Sequence, residues 1–189
     1  MPASEILVKV GTQISFADHA NDFAPATGSS LEQGTPTDVQ IQMASVANDA
    51  ARQSVQVDLG ATRARSYSVV AAFEMASTGL TAGQALVLYW APSPDATAAN
   101  GNPAGVSGAD AAYAGYSSNL DDSLKQLQRI GSAIVTGQAT TTVQIAFIGI
   151  LVPTERYGSL VVVDRSGAAF HSDDVETHIV MNPNIDEAQ

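Results

Sequence analysis

Apolar and polar residues alternate with a period of two along much of the chain, the pattern of half-buried strands. Val39, Ile41 and Met43 alternate with Gln40 and Gln42, and Val55, Val57 and Leu59 with Ser54, Gln56 and Asp58. Tyr67, Val69, Ala71, Phe73 and Met75 make one face of a longer strand. Leu86, Leu88 and Trp90 then share a face opposite Val87 and Tyr89. The strongest apolar run is Thr141 to Val152, with Val143, Ile145, Phe147 and Leu151 on one face and largely apolar residues on the other. Such a strand is expected in the middle of a sheet or under a subunit contact. Leu160 to Val163 and Thr177 to Met181 complete the set, and Glu5 to Val10 is a further candidate at the start.

Glycines at 79, 83, 131, 137, 158 and 167 punctuate these runs, as turns between antiparallel strands require. One segment reads as helix. Asn119 is a good N-cap, Asp121 and Asp122 follow in the first turn, Lys125 and Arg129 lie toward the end, and Gly131 supplies the stop. Residues 15 to 37 are rich in Asp, Asn, Pro, Gly, Ser and Thr without a period, so an arm or loop is expected there. The pattern predicts a mainly β chain, an antiparallel β-sandwich or jelly roll of about eight strands with one short helix. Its expected organisation is an N-terminal strand and extended arm or loop over 1–38, then a sandwich domain over 39–189.

Composition narrows the function. With 189 residues one domain is expected, and with no cysteine neither a disulfide nor a thiolate metal site is available. Eight basic residues against nineteen acidic ones give a net charge of −11, and the basic residues are scattered. That balance argues against nucleic acid and against an anionic membrane as partners. Only 14% of residues are charged. So low a fraction suits a surface partly covered by neighbouring subunits, or a protein built for stability outside a cell. The N-terminus has no basic region followed by an apolar one, and no apolar run is long enough to span a bilayer.

The search for chemistry returns no familiar enzyme signature. Gly105-Val-Ser-Gly-Ala109 lacks the last glycine of a nucleophile elbow, and there is no phosphate loop, dinucleotide fingerprint or H-E-x-x-H. The cluster from His171 to His178 places His171 with Asp173, and Glu176 with His178, on shared strand faces. Those pairs are candidate Ca²⁺ or Zn²⁺ ligands, but a solvated loop leading into the last strand accounts for them better. The adjacent acids Asp121–Asp122, Asp173–Asp174 and Asp186–Glu187 do not meet the opposed arrangement of glycoside hydrolysis. No catalytic, cofactor or metal residue is assigned.

Two segments carry a family resemblance. Tyr89-Trp90-Ala91-Pro92-Ser93-Pro94 with Gly101 to Tyr113, and Arg156 to Val163 with Ser166 to Phe170, resemble virion structural proteins of tailed bacteriophages, over roughly residues 65–189. The resemblance implies a capsid decoration (cement) protein of the phage head, binding between capsid subunits. Its expected partners are the major capsid protein and further copies of itself, with capsid three-folds favouring a trimer. Its expected location is the virion capsid, assembled in the host bacterial cytoplasm. Tyr113, Tyr116, Tyr157 and Phe170 are the candidate contact residues, because aromatic side chains anchor interfaces. The alternative is a tail or adsorption component with a carbohydrate-binding sandwich, in which Tyr113, Tyr116 and the 171–178 segment line the site.

Overall fold

The structure, a computed structural model, describes residues 11–76, 84–97, 100–136 and 142–184. The strands are β1 (Ile14–Ala17), β2 (Thr37–Gln40), β3 (Ala51–Gln53), β4 (Val57–Asp58), β5 (Ser66–Phe73), β6 (Ala85–Ser93), β7 (Ala111–Ala112), β8 (Gln128–Ile134), β9 (Gln144–Leu151), β10 (Tyr157–Arg165) and β11 (His178–Asn184). Among the described residues a single α-helix, α1 (Leu120–Leu124), precedes β8. The strands form a five-stranded sheet in the order β2-β1-β11-β5-β9 and a six-stranded sheet in the order β7-β3-β10-β6-β8, with β4 also paired to β10. All pairings are antiparallel except β1 with β2. The mainly β, sandwich-like fold is the one expected.

The core lies between the sheets and follows the alternation. Phe16, Val69, Ala71, Phe73, Leu151, Ile179 and Met181 face inward from the five-stranded sheet, and Leu86, Leu88, Trp90, Leu160 and Val162 from the other. Trp90 is completely buried, so its role is packing.

A second cluster lies on the outer face of the six-stranded sheet. There Ala91, Val161 and Val163 pack under Ala104, Val106, Tyr113, Leu124 and Leu127. The segment from 100 to 127 is therefore a lid of the protein's own chain. It covers the second face of β10, and the all-buried run Gly158–Asp164 reflects this.

Three elements differ from expectation. First, α1 ends at Leu124, because Gln128–Ile134 joins β6 as β8. Pairing with a long neighbouring strand outweighs the local helical tendency. The N-cap is nonetheless as read: the Asn119 side chain accepts the Asp122 N–H. Second, of the arm or loop expected over residues 11–38, the described residues form a strand and a loop that stay with the body of the chain. β1 lies within the sheet between β2 and β11, and residues 18–36 fold back over its outer face. Gln13 Nε2 donates to Leu31 O at 3.1 Å and the Leu31 N–H donates to His178 Nε2 at 2.9 Å. The candidate strand at 5–10 lies outside the described residues. Third, β9 is not the middle of a sheet but an edge.

Candidate interaction surface

β9 pairs with β5 along its length, and a bulge interrupts the register. Val69 lies opposite Gly149, but Val70 lies opposite Phe147, so Ile148 is the extra residue. A bulge reverses the parity of the side chains beyond it. Ile148 and Leu151 consequently face the core, whereas Ile145, Phe147 and Ile150 face outward with Val152 just beyond the strand. This corrects the single face read from the sequence, which grouped Ile145 and Phe147 with Leu151.

The backbone of β9 is also close to β8, across the junction of the two sheets. A Cβ placed on Gly131 would lie 2.0 Å from Ile148 O, and one on Gly149 would lie 2.7 Å from Ile130 O. Only glycine permits this approach, which draws the sandwich together on that side. Thr136 follows β8, and both its N–H and its hydroxyl donate to Gln144 Oε1 at the start of β9. Ile134, two residues before Thr136, adds another exposed apolar side chain.

The outward row on β9 itself is apolar and carries no charge. Ile145 is 52% exposed, Phe147 62%, Ile150 57%, Val152 57% and Ile134 58%. From Gln144 to Pro153 there is no Asp, Glu, Lys or Arg. Isolated exposed apolar residues are ordinary, but a group of them on one strand marks an interaction surface. The edge of β9 is covered by the close approach of β8, so what it leaves bare is its outer face rather than its backbone. Elsewhere the protein covers its outer faces with its own segments: 100–127 over one sheet and 18–36 over β1 and β11.

The candidate contact aromatics are divided. Tyr116 is 53% exposed in a turn of the 100–127 layer. Tyr157 is half-buried at the start of β10, with the Arg156 guanidinium 5.0 Å from its ring centre. Tyr113 and Phe170 are corrections. Tyr113 is buried, its hydroxyl donating to Ala104 O at 2.8 Å, and Phe170 is a core residue bridged to Met75. Both are held by their own chain and cannot anchor a partner. Ile145 and Phe147 are expected in a strand either mid-sheet or under a subunit contact, and the position of β9 at the end of its sheet rules out only the first.

The other candidates serve the fold. The Glu176 carboxylate accepts the Ala26 N–H at 3.0 Å and the Ser29 hydroxyl, while His178 Nδ1 lies 2.8 Å from Glu176 O. Together they fasten the 18–36 loop rather than converge on a metal. Burial lowers the His178 pKa below its usual value. His171 Nδ1 accepts the N–H of Asp173. Asp121 pairs with Arg165 and Asp122 with Lys125, so that neighbouring acids are neutralised separately. Asp186 and Glu187 lie outside the described residues.

A cleft of 290 Å³ opens between the start of β1 and the 58–64 turn, lined in part by Thr12, Thr37, Asp58, Arg63 and Tyr67. Asp58 is engaged by Arg156 through two contacts of 2.7 and 2.6 Å, which hold its carboxyl below the usual range. Among the described residues no helix is long and apolar enough to cross a membrane. Compared with known protein families, with curated proteins and with solved structures, the chain matches none.

Proposed function

We propose that this protein is a structural subunit that packs against other protein subunits through the outer face of β9. The more specific role is decoration of a phage capsid, binding between subunits of the major capsid protein, as the resemblance at residues 89–113 and 156–170 implies. The observation that carries the packing role is the uncharged row Ile145, Phe147, Ile150 and Val152, left bare on a protein that otherwise covers its outer faces.

The magnitude says what kind of partner fits. Each of these side chains is about half exposed, so full burial gains roughly 1 kcal/mol apiece, or about 4 kcal/mol for the row. Association costs at least about 4 kcal/mol in lost freedom. The row alone therefore supports only a marginal pair. It becomes effective as the centre of an interface of roughly 1,600 Å², or on an assembled array that offers several contacts at once.

The test is light scattering over a range of concentrations, together with cosedimentation on assembled capsids, for the wild type and Phe147→Asp. Phe147 is exposed, so the variant retains the fold. A symmetric oligomer, or capsid binding, that is lost in Phe147→Asp supports the proposal. A wild type that stays monomeric and does not cosediment refutes it, as does a variant that associates normally. Glycan binding by the monomer would favour the adsorption role instead.

A further inference from the structure

β1 and β11 are neighbouring antiparallel strands, with Phe16 opposite Ile179. That pairing brings the end of β1 beside the segment that leads into β11, and three carboxylates meet there. Asp18 follows β1, Asp22 lies early in the loop beyond it, and Asp174 precedes β11. One carboxylate oxygen of each lies within 4.8 Å of the others. Asp18 is 0% exposed and Asp174 1%, whereas Asp22 is open to solvent.

The donors around these groups are neutral. Asp18 accepts from the side-chain amides of Asn21 at 2.9 Å, of Gln42 at 3.4 Å and of Gln40. Asp174 Oδ2 accepts the backbone N–H groups of Met43 at 2.9 Å and Ala44 at 3.1 Å. Asp174 Oδ1 is buried and, among the described residues, has no hydrogen-bond partner. A buried carboxylate oxygen without a donor is costly, and a second carboxylate beside it raises the cost. Burial, and secondarily the charge on Asp18, push the Asp174 carboxyl above its usual pKa. Either a proton or a cation relieves this arrangement.

The donor set discriminates among cations. It consists of carboxylate oxygens, with no sulfur or imidazole in the group. Hard divalent ions prefer such ligands, and Ca²⁺ tolerates the irregular geometry of two loops, with water completing its shell. The exposed Asp22 provides the path of entry. We propose that Asp18, Asp22 and Asp174 form a calcium site that fastens the 18–36 loop to the segment before β11. The site is independent of the β9 surface and stands or falls separately from it.

Calorimetric titration of the EDTA-dialysed full chain with calcium chloride tests this, alongside thermal melts. The expected result is one ion per chain with a Kd on the order of 10⁻⁵–10⁻⁴ M. The melting temperature rises by roughly 5–10 °C when calcium is about 100-fold above Kd. Asp22→Asn and Asp174→Asn each weaken binding by about tenfold or more, because ligand charge sets affinity. Asp173→Asn, an exposed neighbour outside the group, leaves binding unchanged. Asp22 is exposed, so its variant reports even where Asp174→Asn alters the fold. Absence of binding heat and of any melting shift at millimolar calcium would overturn the proposal, and would assign the relief to a proton on Asp174. Unchanged binding by Asp22→Asn would also overturn it.

Discussion

Replacing Asp164 by Asn is expected to stabilise the protein at neutral pH and to leave it unchanged in acid. Asp164 lies on β10 opposite Leu86, on the side of the sheet that faces the core, and is completely buried. Its Oδ1 accepts the Ser166 N–H at 2.8 Å, while Oδ2 has no partner among the described residues. The nearby Arg165 is committed to Asp49 at 2.6 Å and Asp121 at 2.5 Å. Burial therefore dominates and pushes the Asp164 carboxyl from 3.8 to about 6.

The sign follows from proton uptake. Between pH 3.8 and 6 the folded chain holds a proton at Asp164 that the unfolded chain has released. Stability from this group is complete below 3.8, falls as pH rises through that window, and stays low above 6. At ~1.4 kcal/mol per pH unit the loss approaches about 3 kcal/mol. Asn keeps the oxygen that takes the Ser166 N–H and, like the protonated acid, carries no charge. The variant should match the wild type near pH 4 and exceed it by about 1–3 kcal/mol at pH 7.5.

Urea denaturation followed by fluorescence provides the assay, because Trp90 is the only tryptophan and is fully buried. Other carboxyls raised by burial, such as Glu74, cancel in the comparison of wild type with variant. An offset that does not change with pH would refute the reasoning, as would a variant less stable than the wild type at pH 7.5.

Two further outcomes are expected. In Gly158→Ala the new Cβ would lie 2.2 Å from Trp90 Cζ2 and 2.9 Å from Ala91 O. The loss is expected at about 2–3 kcal/mol by urea denaturation, and a loss below ~1 kcal/mol would mean that Trp90 repacks freely. His178 is buried and neutral, with Nε2 accepting the Leu31 N–H, so protonation breaks that bond. Because its folded pKa is depressed, stability is full above 6.5 and declines as pH falls below it. Protection factors in the 18–36 loop, which divide out the intrinsic pH dependence of amide exchange, should then fall at pH 5.5 relative to 7.5, and unchanged protection factors would count against this.

The faces of most strands were legible in the order of residues. Alternation placed Tyr67, Val69, Ala71 and Phe73, and likewise Leu86, Leu88 and Trp90, on the sides that the core takes. The Asn119 cap was legible for the same local reason. β1 was hidden, although Ile14 and Phe16 alternate with Ser15, because its polar surroundings read as a loop. The helix was overextended because pairing with β6 claimed residues 128–134.

The candidate site was harder to read, because coverage of a surface is not a local property. Val161 and Val163 are buried under the 100–127 segment, whereas Ile145 and Phe147, in an equally apolar run, stay exposed on an outer face that no segment covers. No pattern within either strand separates the two cases. The bulge at Ile148, which turns Phe147 outward, exists only in the register with β5. The meeting of Asp18 with Asp174 likewise depends on the pairing of β1 with β11. Short-range periodicity determines which side chains share a face of a strand. Only the packing of distant segments decides which face is covered and which charges are brought together.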